Sequence, residues 1–432
     1  MLFWLIIGLL FILLFLKFPI MVVLLTTALV MVAIFAPSID YVILIQQLSS
    51  SVESYVLLAI PMFIFSADII VRGRTATRLL DFVNDLFGHI RGGTGIVTAA
   101  TSTLFGSVSG SSQATIAAIG PPMRARALEH GYKDSHITGL IVNSAGIAIL
   151  IPPSIVMIYY GMLTGTSIGD LFIAGIIPGL LIFIGFSVWE YIKAVRHNIP
   201  VEEKATWKQR LYSFRKSILT FGFPILILGG IYSGLFSPTE AAAFSVFYAL
   251  ILELIIYRSI SVKDLYSIAG STGVVTSIVF ILLAAGGVFS WIISYLRIPQ
   301  KLTETILGSD PSQLQILLIM SLFFLIACMF VDSLVAIAIL TPIFFPIASQ
   351  AGVHPVATGI LITMQATLGT VTPPFGVNIF TAAAIFKQRY VDVVKGIVPY
   401  IIIFLIINLI LIIYPEIIMV YEKILGSSKS VN

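Results

Sequence analysis

Two short polar stretches interrupt an otherwise apolar chain, and both are made of oxygen donors. Gly106 to Ser112 offers four hydroxyls and two glycines, and Val331-Asp332-Ser333 sets a full carboxylate beside a hydroxyl. Hydroxyls, carboxylates and turned-out carbonyls are hard oxygen ligands of the kind an alkali cation accepts, and glycine lets the backbone turn to present them. An acid inside an apolar segment is costly and marks function by default, so Asp332 reads as a site residue over a structural hydrogen-bonding one. For the serines, close helix packing is the competing reading.

Each polar stretch is followed by an apolar segment with a break. The first is Asn143-Ser144-Ala145-Gly146 with Pro152-Pro153-Ser154 after it; the second runs from Gln365 through Gly369, Thr370 and Thr372 to Pro373-Pro374, with Asn378 beyond. A proline pair leaves carbonyls unpaired one turn earlier. A broken helix therefore shows partial negative charge to a cation, while its second half presents a positive N-terminus to an anion. A polar stretch plus a break would make one ion pocket in each half of the chain. The competing reading is a pair of ordinary proline kinks.

The two halves are copies. Pro121, Pro152, Pro153 and Pro178 recur 221 positions later as Pro342, Pro373, Pro374 and Pro399, and Ser112, Gly131 and Gly175 recur as Ser333, Gly352 and Gly396. Repeated, proline-interrupted hydrophobic segments point to the binding site of a secondary transporter. Composition agrees: 58% of residues are hydrophobic, 10% are charged, and mean hydropathy is +1.07. A soluble domain carries roughly 45–50% apolar and 25% charged residues. The lone cysteine, Cys328, excludes a disulfide framework and a thiolate metal cluster.

Apolar stretches fit for spans fall near 2–16, 19–36, 54–71, 137–164, 171–193, 217–235, 239–257, 268–296, 355–386 and 394–420, with the first read as a retained segment rather than a signal peptide. The stretches 92–127 and 313–350 are too long for one span and polar at the centre, so they read as re-entrant hairpins, whose irregular tips survive only inside protein or against water. With the hairpins entering and leaving on one side, the basic loops around Arg72 to Arg91, Arg124 to Lys133, Lys193 to Lys216, Arg258 to Lys263 and Lys387 to Lys395 share one face. That face is cytoplasmic. The loops 37–53, 164–170 and 236–238 carry no Lys or Arg, and Arg297, Lys301, Lys423 and Lys429 are the exceptions. About ten crossings with both termini outside result, and the second copy is inverted relative to the first. The fold class expected is an all-α polytopic membrane protein.

Smaller features follow. Ser237-Pro238-Thr239-Glu240 reads as a capping box, which makes Glu240 structural. The segment 193–216 reads as an amphipathic arm on the inner membrane surface or as a linker. Asp68 and Glu253 read as interfacial. All five histidines, His89, His130, His136, His197 and His354, fall in expected loops, which argues against a proton relay and favours sodium, with a proton on Asp332 as the alternative.

The runs Gly106 to Met123, Ile149 to Gly161, Ser167 to Leu180 and Thr370 to Phe380, with Leu57 to Ile70 and Ser237 to Ala243, resemble the large membrane subunit of tripartite ATP-independent periplasmic (TRAP) transporters. The resemblance covers essentially the whole chain. It implies a multi-pass subunit of the bacterial inner membrane, not an enzyme, that works with a small four-helix membrane subunit and a soluble periplasmic substrate-binding protein. It also implies an elevator mechanism, with scaffold parts at 1–91 and 239–312, transport parts at 92–195 and 313–432, and an arm and connecting span at 196–238. The coupling ion implied is Na+, with Ser109, Ser111, Asn143, Ser144 and Gly146 as the first site and Asp332, Ser333, Gly369 and Thr372 as the second. A carboxylate substrate would lie between the tips, on Ser107, Gly110, Ser112, Ser154 and Asn378. The first tip looks most like the sialic-acid branch, with C4-dicarboxylates next. A stand-alone carrier of divalent anions is the alternative transporter. An intramembrane aspartyl hydrolase using Asp170 and Asp332, and a passive channel, are disfavoured.

Overall fold

The computed structural model describes residues 8–10, 12, 13, 16, 18–302 and 311–424, and all regular structure among them is helical. The expected span at 2–16 lies mostly outside the described residues. Among the described residues, eight helices are long and apolar enough to cross a membrane. Both broken spans are missing from that set because their breaks cut each into pieces: Asp134–Gly146 and Ile155–Thr164, then Pro355–Val371 and Val377–Phe386. Both arms of the second hairpin are included, so length alone does not separate a hairpin arm from a span.

The duplication is visible helix by helix. The hairpin arms Gly93–Ser109 and Ser112–Glu129 correspond to Gln313–Phe330 and Ser333–Gln350, and the closing helix Ile168–Arg196 corresponds to Tyr390–Ile413. The Pro152-Pro153 and Pro373-Pro374 peptide bonds are both cis. Packing is reciprocal between the copies. The second arm of each hairpin lies against the second half of the other copy's broken helix, and each closing helix lies against the first half of the other copy's broken helix. A two-fold relation between the copies produces this exchange, and it makes the hairpins and broken helices one interlocked body.

Glycines permit the closest crossings. A Cβ on Gly139 would fall 2.2 Å from the carbonyl of Gly396, and one on Gly396 would fall 1.7 Å from the Ser135 carbonyl oxygen. The remaining helices, among them Ile20–Phe35, Tyr41–Ser50, Ala59–Arg72, Pro238–Leu250 and the 34-residue Val262–Tyr295, flank this body. At Gly286 the last of these meets Tyr159 and Ala338 of the interlocked body, and at Gly287 it meets Ser51, the residue that ends helix Tyr41–Ser50. A cavity of about 450 Å³ opens beside that crossing, lined by hydroxyls that include Ser54, Ser290 and Ser294.

Three expectations about charged residues change. His136 is not in a loop: it is buried in Asp134–Gly146 beside Glu190, which is 1% exposed and escaped the sequence reading. Tyr400 donates to Glu190 Oε1 at 2.6 Å, His136 Nε2 lies 3.0 Å from its carboxylate, and Lys193 Nζ lies 2.6 Å from His136 Nδ1. Gly95 leaves the room that Glu190 occupies. Glu253 is fully buried rather than interfacial, accepting from the backbone N–H groups of Arg74 and Thr75 and from the Ser259 hydroxyl, so it caps helix Thr75–Phe87 from another part of the chain. The arm expected at 193–216 is shorter: helix Ile168–Arg196 runs through its start and Trp207–Tyr232 takes up its end, leaving 197–206 as linker. Within that linker Glu202 accepts a two-pronged bond from Arg126 at 2.9 and 2.8 Å and another from Asn84 at 3.0 Å. Glu240 is a capping-box residue as expected, accepting from Ser237.

Removing one partner from a buried charged network costs about 3–5 kcal/mol. Glu190→Ala should therefore lower the melting temperature in detergent by several degrees, and Glu190→Gln, which still accepts from Tyr400, by less. Melting followed by intrinsic fluorescence checks both; an Ala variant as stable as the native chain would contradict a structural role for the cluster.

Candidate ion and substrate site

The first tip is closed by chain geometry. Gly110 ends helix Gly93–Ser109 in the left-handed region at φ 59°, and Ser111 caps the next arm by accepting from the Ala114 N–H at 3.3 Å. The Ser109 hydroxyl lies 3.1 Å from that of Thr115 and 3.3 Å from the Ser111 carbonyl oxygen, so three oxygens of this tip converge. Ser107 turns away and donates to Leu104. The second tip closes differently, through extended Val331 and Asp332. Asp332 Oδ1 accepts from the Leu334 N–H at 2.9 Å and caps the second arm as Ser111 does, leaving its other oxygen free for a ligand. Asp332 itself is exposed.

The breaks stand beside the tips. A Cβ on Gly110 would fall 2.4 Å from the Pro153 carbonyl oxygen, and one on Gly106 2.6 Å from Ala148. Ser112 donates to Asn378 Oδ1 at 2.7 Å, and Asn378 Nδ2 reaches the Val142 carbonyl at 3.4 Å. Asn378 thus ties the first tip to both broken helices. Gly146 packs on Thr367 and Val371, which brings the two breaks together, and Gly369 packs on Cys328 just before the second tip. Ser333 lies 3.5 Å from the Ala366 carbonyl. Ser154 caps Ile155–Thr164 through the Met157 N–H, and Thr372 donates to Leu368, so neither hydroxyl is shown joined to a tip.

Whether such residues suit a cation is a matter of free oxygen. Asn143 Oδ1 and Ser144 Oγ are buried without a hydrogen-bond partner, as are Thr101 Oγ1 and Ser102 Oγ on the packed first hairpin arm. An unsatisfied buried acceptor costs about 1–3 kcal/mol, so a cluster of them fits a ligand that supplies positive charge. No Lys or Arg lies in either tip or break. Among the described residues there is no group of three or more His, Cys, Asp or Glu that would suit a transition metal.

Helical hairpins, paired broken helices and reciprocal repeats define the class: a polytopic membrane transporter. The fold is similar to that of the Alcanivorax borkumensis YdaH transporter, with a TM-score of 0.63, 13% identity, and coverage of 92% of this chain and 97% of that one. The family model described as "Tripartite ATP-independent periplasmic transporter, DctM component" matches residues 7–417, and the chain belongs to that family. It is a large permease subunit of the bacterial inner membrane. It is 48% identical to the Ectoine/5-hydroxyectoine TRAP transporter large permease protein UehC of Ruegeria pomeroyi over 94% of this chain and 95% of the relative. The Ectoine TRAP transporter large permease protein TeaC of Halomonas elongata is also 48% identical, with the same coverage. The sialic acid permease SiaM of Vibrio cholerae is 31% identical over 86% of this chain and 87% of the relative. The expected leaning to the sialic-acid branch is corrected accordingly: the permeases named for ectoine are nearer to this chain than the one named for sialic acid.

A methyl group at position 110 would have to enter the left-handed region, at roughly 1–2 kcal/mol, and press on Pro153. Gly110→Ala should keep its fold, with melting within a few degrees of the native chain, and lose at least about nine-tenths of uptake, a change worth ~1.4 kcal/mol. Uptake by proteoliposomes checks this, and a fully active variant would contradict the tip contact.

Proposed function

We propose that this chain imports an ectoine-type compatible solute, coupled to sodium and by an elevator movement, with a small membrane subunit and a periplasmic binding protein as its partners. The observation that carries the reading is a polar site rich in free oxygens and devoid of Lys and Arg. A substrate with a net negative charge would need compensation there, whereas ectoine, a cyclic amidine carboxylate, brings its own cation. The greater similarity to permeases named for ectoine than to one named for sialic acid supports the same choice.

Sodium, when bound, would supply positive charge to the substrate carboxylate. Asn143 Oδ1, Ser144 Oγ and the Ser109 and Ser111 oxygens would hold it in the first copy, and Asp332 with Ser333 and carbonyls near Gly369 in the second. Gly146 keeps the two breaks in contact, so both halves of the site answer to one body. That body carries both tips and both breaks, which suits movement as a unit past the flanking helices.

The test is uptake of labelled ectoine by the chain reconstituted with both partners. Native protein should transport it, excess sialic acid should not compete, and Asp332→Ala should cut uptake by at least about tenfold, worth ~1.4 kcal/mol. Native kinetics in the Asp332→Ala variant would remove the second ion site from the account.

A further inference from the structure

The two copies differ where they matter most. Ser111 and Asp332 both cap a hairpin's second arm, but one is neutral and the other acidic. A second difference lies beside Asp332. Phe330, the last residue of helix Gln313–Phe330, and Phe375, just after the Pro373-Pro374 pair, form an aromatic pair with ring centroids 5.7 Å apart and planes inclined at 49°. They are 45% and 53% exposed and flank the second tip and the second break in the chain. The first copy has Ser109 and Ser154 where these rings stand.

We propose that Phe330 and Phe375 form a face that receives the planar, delocalised cation of a zwitterionic substrate, while the first tip receives its carboxylate. This rests on the ectoine-type reading above. A chain of short contacts connects the two ends. Ser112 of the first tip bonds to Asn378 at 2.7 Å, Asn378 lies three residues after Phe375 in the chain, and Phe375 packs on Phe330 two residues before Asp332. The faces of aromatic rings are electron-rich and attract cations, by about 0.5 kcal/mol when exposed to 2 kcal/mol when desolvated. Asp332 neutralises the sodium it would hold on the same side, so no net positive charge opposes a cation there. A substrate carboxylate is drawn instead to the first tip, where a sodium held by neutral oxygens keeps its charge and helix Ser112–Glu129 begins. The unequal copies thus give the site a polar axis. An acid without a cationic end leaves the aromatic face uncomplemented.

The experiment measures ectoine uptake by the complete three-part system with the native chain, Phe330→Leu, Phe375→Leu and Phe375→Trp, with melting temperatures alongside. Leucine keeps apolar bulk and removes the ring. Each Leu variant should raise KM for ectoine about 2- to 30-fold while leaving the sodium concentration for half-maximal uptake unchanged. The Trp variant should match or improve on the native KM. Native KM in both Leu variants would place the rings outside the substrate path and overturn the proposal while leaving the substrate reading intact. Equal loss in the Leu and Trp variants would make the pair a packing element and overturn it too. If the native chain takes up no ectoine, the substrate reading falls first and this inference with it.

Discussion

Backbone that leaves the helix inside a membrane must be satisfied by protein or water, because hydrocarbon offers its N–H and C=O groups nothing. This chain leaves the helix four times in its interior, at two tips and two breaks, and the rest of the structure is arranged around those departures. The tips are closed by side-chain caps from Ser111 and Asp332. The breaks are buried against each other at Gly146 and Thr367, and the first tip is pressed onto the first break at Gly110 and Pro153. Interlocking follows: each hairpin leans on its own copy's broken helix and, through its second arm, on the other copy's half-helix as well.

Much of this was legible in the residues. Proline and glycine are punctuation whose meaning survives without tertiary context, and their recurrence exposed the duplication, the hairpin tips and the breaks. The capping box at Ser237 was legible for the same reason. What stayed hidden depended on distant partners. Glu190 reads as one charge near the end of a hydrophobic helix; its importance lies in His136 and Tyr400, which reach it from two other helices. Glu253 likewise looked interfacial because nothing local reveals that it caps a helix 178 residues earlier. Helix ends were the weakest part, as at 193–216, where apolar content fades gradually while the helix continues.

The site itself was partly legible. The sequence pointed to the polar tips and the breaks, and the structure brings the first tip, Asn378 and both broken helices into contact. It assigns Ser154 and Thr372 to local backbone bonds and shows that Asp332 has a capping role besides any ligand role. Substrate identity was not legible, since hydroxyls, carbonyls and proline breaks describe a polar site without specifying what it holds. The aromatic pair at Phe330 and Phe375 went unnoticed because aromatic residues in an apolar chain carry no signal until their exposure is known.

The central claim is that oxygen ligands hold a coupling cation, and that this cation, in place of Lys or Arg, faces the substrate's carboxylate. The most direct test is ectoine uptake by the reconstituted three-part system under an inward gradient of sodium, compared with an equal gradient of potassium. The account predicts accumulation with sodium and only equilibration at best with potassium. Equal accumulation in both would contradict it.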